Sequence, residues 1–199
     1  MGTIIDMQSA RRRREGTTFT FDLASPWTYL AAHAVTARFP DARWVPALAP
    51  PEADGEGEGE RAERVARELG LRFAVPRRRP EGLAAARAAC HAAEHGRAKE
   101  FALAAARLAW GWGQDLDGHE LIAQAAGIAE LPLDPVLEAT FDPRRDAVLR
   151  SAAVDGAPAL TTPAGVVLDG PALAAAQTSS MKTISVESLR RGPSLRIRV

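Results

Sequence analysis

The sequence predicts an α/β fold in which a β-α-β unit and a later α-β-β-α unit enclose a block of helices. Three observations carry that reading. Phe19, Phe21 and Leu23 alternate with Thr18, Thr20 and Asp22, the period of a strand, and the alternation stops at Ala24. The long middle of the chain repeats apolar residues at helical spacing, with Gly70, Gly96 and Gly127 as stops. Strand character then returns only at Ala159–Thr162 and Val166–Leu168, joined by the short turn Pro163-Ala164-Gly165, which implies an antiparallel hairpin.

In chain order, Ser25 supplies an N-cap and Pro26 a first helical residue, since proline lacks only an N–H that would be unpaired there. The helix from Pro26 to about Arg38 places Trp27, Leu30, Ala31, Ala34 and Ala37 on one face and Tyr29, His33 and Thr36 on a more polar one. Arg43–Leu48 reads as a second strand, parallel to the first because a helix intervenes. Pro50–Glu60 reads as a flexible acidic loop. Ala62, Val65, Ala66 and Leu69 then mark a helix. Helices follow over about Leu83–His95 and Arg97–Trp110, the second with Phe101, Ala104, Ala105 and Leu108 inward. Asp117 with Glu120 forms a capping-box-like start for His119–Ala126. Asp134-Pro135 and Asp142-Pro143 start two more, ending near Thr140 and Val154, and Asp169-Gly170-Pro171 starts a last one through Ala176.

The 199 residues suit one domain with an insertion. The expected organisation is a flexible N-terminal segment 1–16, a core of 17–59 and 143–177, a helical insertion 60–142 and a basic C-terminal tail 178–199. No apolar run is long enough for a membrane span, and Arg11–Arg14 are not followed by the apolar stretch of a secretory signal. Formal net charge is +0, but the two terminal segments hold nine of the 25 basic residues and three of the 25 acidic ones, leaving an acidic body. Such tails are read as solvated rather than as a nucleic-acid surface. Cys90 is the single cysteine, so no intramolecular disulfide forms and a cytoplasmic setting is expected.

The stretch with most chemical content is Phe21-Asp22-Leu23-Ala24-Ser25-Pro26-Trp27-Thr28-Tyr29-Leu30, where a strand runs into the positive end of a helix with a hydroxyl at the junction. Backbone N–H groups there favour an anion or thiolate, by roughly 0.3–1 kcal/mol at exposed sites. This stretch resembles the opening of DsbA-like thioredoxin-fold proteins, closest to the branch of 2-hydroxychromene-2-carboxylate isomerases and kappa-class glutathione transferases. Glu63–Pro76 and Ala86–Asp117 are similar to the same branch, and 17–177 follow the family's order of elements. Redox members carry Cys-Pro-aromatic-Cys here; this chain has Ser25 and Thr28 at those positions, which excludes dithiol–disulfide chemistry.

The resemblance implies a thioredoxin-like fold with an all-helical insertion. It also implies a site between Ser25 and a cis-proline, Pro158, preceded by Ala157. Ser25 would stabilise a bound thiolate, with Pro26, Trp27, Ala157 and Pro158 holding a low-molecular-weight thiol, glutathione or another cellular thiol. The partner would be a small electrophilic substrate, isomerised or conjugated by reversible thiolate addition; a homodimer is compatible with the resemblance. Three departures stand out: the acidic Gly/Glu loop follows the second strand, Gly170-Pro171-Ala172-Leu173 lacks the aspartate that relatives often place after the hairpin, and the basic, serine-rich tail from Thr178 has no family counterpart. These favour, as the alternative, a non-catalytic binding or scaffold protein retaining the fold.

Other candidates read as structure. His91-Ala92-Ala93-Glu94-His95 matches H-x-x-E-H, a pattern in which paired histidines one turn apart bind zinc beside a catalytic carboxylate. The apolar face Leu83, Ala86, Cys90 and Ala93 puts both histidines toward the polar side, and no metal site or zinc hydrolase is expected. Cys90 reads as a buried inert thiol. Trp110 and Trp112 read as packing residues that could line a pocket between insertion and core, and Arg77–Arg79 as a solvated loop.

Overall fold

The computed structural model describes residues 16–49, 57–74, 80–153 and 157–178. The expectations for 1–15, for 50–56, for Arg77–Arg79 and for the tail beyond Thr178 lie outside the described residues. Strand β1 (Thr18–Phe21) leads to helix α1 (Pro26–Arg38) and strand β2 (Arg43–Pro46). Helices α2 (Glu58–Glu68), α3 (Leu83–Glu94) and α4 (Ala98–Ala106) follow, the last running into a π-helical turn at Arg107–Gly111. Then come α5 (His119–Ile128), α6 (Leu133–Thr140), α7 (Arg145–Ala152), β3 (Ala159–Thr161), β4 (Val167–Asp169) and α8 (Gly170–Thr178).

The four strands form one mixed sheet in the order β2-β1-β3-β4. β1 pairs parallel with β2, Phe19 opposite Trp44, and antiparallel with β3, Phe19 opposite Leu160. β3 and β4 form the antiparallel hairpin that the short Pro-Ala-Gly turn required. Phe19 and Phe21 lie within 1% of complete burial, and the Phe19 ring meets Trp44 edge-on at 4.7 Å. Full burial of such a side chain is worth about 1.5–3 kcal/mol, so the β1 alternation is the fold's strongest single signal.

One apolar cluster runs from Phe19, Phe21 and Leu30 through Phe101 and Trp110 to Leu121, Ile122 and Val136, so sheet and helical block share a core. Helix α1 lies in its middle. It is buried at every position from Pro26 to Ala32 and again at Ala34 and Val35. The two-faced helix of the sequence reading is therefore corrected: Tyr29 is buried and Ala37 exposed, because α1 packs on α8 along one flank and on α2 and α4 along others.

Several boundaries also differ from expectation. Glu58–Glu60, read as loop, form the first turn of α2, where the two carboxylates of Glu58 and Glu60 suit the helix's positive end. Helix α5 passes straight through Gly127 and exits at Glu130, which takes the left-handed φ of 56°. Asp117 caps no helix of its own. Its two oxygens accept the N–H groups of Gly82 and Ala84 at 2.8 and 3.0 Å, at the start of α3, 33–35 residues away. Helix α6 begins at Leu133, ahead of the Asp134-Pro135 signal. On α3, His91 is buried along with Ala85, Ala88, Ala89 and Ala92, because the helix packs against α4, α6, α7 and β2 rather than on one side alone. Among the described residues no helix is long and apolar enough to cross a membrane.

Candidate functional site

The chain leaves β1 at Phe21 and enters α1 at Pro26 through four residues, and nearly every polar group in that turn is committed. The buried Asp22 carboxylate accepts the N–H of Ala24 at 2.9 Å and of Ala49 at 3.0 Å, tying the loop after β1 to the end of β2. The Asp22 carbonyl accepts the N–H of Ser25 at 3.1 Å and the Thr28 hydroxyl at 2.5 Å. Thr28 is completely buried, so the residue at the second-cysteine position faces inward.

Ser25 is different. It sits at the N-cap with extended backbone (φ −93°, ψ 127°), and its carbonyl accepts the Thr28 N–H at 3.1 Å. Its side chain does not cap the helix and has no hydrogen-bond partner among the described residues. The expectation of a capping serine is corrected: Asp22 and Thr28 order the turn, which leaves a partly exposed hydroxyl uncommitted at the positive end of α1. Asp22, read from sequence only as a polar strand residue, is the organising group that sequence reasoning missed. Its alternation with Leu23 hid it, and the signal that could have found it was a carboxylate three residues before the N-cap position.

Pro158 comes to the same place from the other end of the chain, with the Ala157–Pro158 peptide bond cis. Gly170, at the start of α8, shows how close the approach is. A Cβ there would stand 2.6 Å from both Pro158 Cγ and Trp27 Cβ, so only glycine lets the three segments meet. The structure thus brings Trp27 and Pro158 together against Gly170; Pro26 and Trp27 are buried, and Ala157 is half-buried beside Pro158.

The helical block fixes this junction from its other side. Trp110 is buried and donates its Nε1–H to the Leu23 carbonyl at 2.9 Å. Gly82, with φ 71°, lies so near the turn that a Cβ would be 2.9 Å from Ala24 Cβ. Trp110 is the packing residue expected. Trp112 is not: it is about half exposed, carries the Arg72 guanidinium 3.9 Å above its ring, and lines a cavity.

That cavity, about 690 Å³, lies along the flank of α1 between Tyr29, His33, Thr36 and the α4–π-turn residues Leu103, Arg107 and Leu108. A second space of about 310 Å³ adjoins it at Tyr29, His33, Arg72 and Trp112. Neither is lined by Ser25 or Pro158, but both begin at Tyr29, one helical turn beyond Ser25. The Tyr29 hydroxyl donates to the Arg72 carbonyl at 2.9 Å, and burial raises its pKa, so it stays a neutral donor. Burial, with Arg107 adding to it, lowers the His33 pKa, leaving Arg107 as the standing cation of that wall. Thr36 Oγ1 and Glu100 Oε2, both from lining residues, are buried without hydrogen-bond partners among the described residues.

No protein-family model matches the chain, and no curated protein matches it. Solved structures do. A selenomethionine-labelled 2-hydroxychromene-2-carboxylate isomerase matches with a TM-score of 0.65 at 15% identity, over 84% of this chain and 99% of that one. A probable DsbA oxidoreductase from Streptomyces coelicolor matches at 0.60 and 16% identity, over 92% and 93%. The chain has a DsbA-like thioredoxin fold. At such identities the likeness is one of fold. Against that DsbA-like frame the turn at Ser25 and the proline at 158 occupy one end of the sheet, and the fold's helical insertion supplies Trp110 and Gly82 against the turn.

Proposed function

We propose that this DsbA-like protein binds a low-molecular-weight thiol at Ser25 and uses its thiolate on a small electrophile. The observation that carries the reading is the uncommitted Ser25 hydroxyl. The Asp22 carboxylate and the Thr28 hydroxyl in that turn are paired, while the Ser25 hydroxyl has no partner among the described residues, and it sits at the end of α1 that favours negative charge. No cysteine stands at the site, so the thiol must come from outside the chain. Ser25 acts as a donor to sulfur, not as a nucleophile, and Pro26, Trp27, Ala157 and Pro158 line the thiol's seat.

The chemistry is reversible addition. The thiol loses its proton to solvent, sulfur bonds to the electrophilic carbon, and the displaced electron pair moves to the conjugated carbonyl oxygen. Expulsion of the same thiolate after bond rotation gives an isomer; protonation at carbon gives a conjugate. The cavity along α1 is the place for the electrophile's apolar body, with Arg107 beside it for an anionic substituent.

Calorimetric titration of a thiol panel tests the reading, with Ser25→Ala as the comparison and melting measured in parallel. Binding by the folded chain that Ser25→Ala weakens, with thiolate absorbance at lower pH than for free thiol, supports it. Absence of binding at millimolar thiol sinks it. One observation favours a second reading: the two cavities described above lie on the α1 flank and exclude Ser25. On that reading the chain binds a small apolar ligand there without chemistry, and ligand affinity is indifferent to Ser25→Ala.

A further inference from the structure

The H-x-x-E-H segment belongs to none of this. It lies at the C-terminal end of α3, on the side that meets α7, and its three chemically active groups converge. One donor atom from each of His91, Glu94 and His95 lies within 4.8 Å of the other two. The two imidazoles stand close and tilted, centroids 4.3 Å apart and 36° between planes, as i,i+4 residues on a helix can. His95 Nδ1 is 2.8 Å from the His91 carbonyl, an acceptor only, so Nδ1 carries the proton and the lone pair is on Nε2. A ring nitrogen fixed in this way is the outer-shell arrangement that orients a ligating histidine. The helix end adds its negative pole.

A positive group already claims part of this cluster. Arg145, the first residue of α7, holds both oxygens of Glu94, Nη1 to Oε1 at 2.5 Å and Nη2 to Oε2 at 3.0 Å. Arg145 has a second anion within reach, since its Nε lies 3.5 Å from Asp142 Oδ2. If Glu94 is taken, Arg145 keeps an ionic partner.

We propose that His91, Glu94 and His95 form a binding site for a zinc-class divalent cation, which competes with Arg145 for the Glu94 carboxylate. Two imidazoles and one carboxylate are a borderline donor set that suits zinc or cobalt over magnesium or calcium. Solvent completes the coordination shell, since Glu94 and His95 are exposed. The donors come from a single helix, so the site needs no rearrangement of the fold, only a shift of the Arg145 side chain.

The test uses the full chain with any affinity tag removed. Zinc titrated by calorimetry should bind with one-to-one stoichiometry. His91→Ala and His95→Ala should each weaken it by roughly 10–100-fold or more. His119→Ala, on α5, and Cys90→Ser should leave it unchanged. Arg145→Gln removes the competitor and should tighten zinc. Should Arg145→Gln melt early, Arg145→Lys retains a cation without the paired grip and should tighten it less. Cobalt(II) should give visible d–d absorption that disappears in His95→Ala. Failure of wild-type protein to bind zinc saturably, or affinity unaffected by His91→Ala and His95→Ala, overturns the proposal. So does zinc binding lost with Cys90→Ser.

Discussion

Two of the joints that hold the helical block together and to the rest of the molecule are built on different physics. At the Ser25 junction the contacts are neutral and directed at backbone: Trp110 to the Leu23 carbonyl, Tyr29 to the Arg72 carbonyl, Ala74 N–H to the Trp110 carbonyl at 2.7 Å, and Gly82 against Ala24. Against α7 the contacts are ionic. Arg87 donates Nε and Nη2 to the two oxygens of Asp146 at 2.7 and 2.9 Å and Nη1 to the Thr140 carbonyl at 2.9 Å, while Arg145 holds Glu94. A neutral clamp keeps its geometry across pH and salt; an ionic one is adjustable. The candidate thiol site sits at the first kind of joint and the candidate metal site at the second.

The largest break in that contrast should come from Trp110→Ala. It removes a buried indole and leaves the Leu23 carbonyl unpaired, for a loss of about 3–5 kcal/mol. Chemical denaturation measures it, and a loss below about 1 kcal/mol would mean the junction does not depend on this clamp. Next comes Gly170→Ala, whose Cβ must displace Pro158 or Trp27. We expect a loss of about 1–3 kcal/mol, together with weaker thiol binding if the Ser25 site is as proposed. Stability equal to wild type would show that the two segments separate freely.

Acid should distinguish the joints. The hydrogen bond from Arg87 holds the Asp146 carboxyl below the usual range, and that from Arg145 does the same for Glu94. Groups whose folded pKa is lowered contribute fully above the unfolded range, about pH 4, and lose that contribution as pH falls through the lowered values. Protection against hydrogen exchange at Leu48, whose N–H donates to Leu149 of α7 at 3.2 Å, should therefore fall in acid before that of Ala74 does. Arg87→Met should bring the Leu48 response to higher pH and leave that of Ala74 unchanged. Simultaneous exchange at the two amides would erase the distinction.

The smallest effect concerns Cys90, which lies in the small apolar cluster with Ala86 and Leu149 beside the ionic joint. Burial pushes its thiol up to about 11. Alkylation of native protein at pH 8 should be far slower than in denaturant; equal rates would mean that α7 opens readily.

Much of the frame was legible in sequence because it rests on local periodicity. The β1 alternation, the Pro26 helix start, the hairpin with its three-residue turn, and the position of Ser25 all follow from neighbours within about ten residues. The chemistry of individual side chains was less legible. Asp117 promised a cap for its own helix and caps α3 instead, because a carboxylate joins whichever unpaired N–H groups the fold brings nearest. Ser25 promised a cap and was relieved of it by Asp22 and Thr28. Tyr29 and His91 were assigned to polar faces and became buried, since a helix packed on several sides has no single apolar stripe for a sequence to display. The sequence by itself determined the order of elements, the absence of a CxxC and the hydroxyl at the helix start. Only the tertiary structure decided that this hydroxyl would be left unpaired and that Gly170 would admit Pro158 to Trp27. It also decided that His91, Glu94 and His95 would face Arg145, because each of these depends on contacts between residues far apart in the chain.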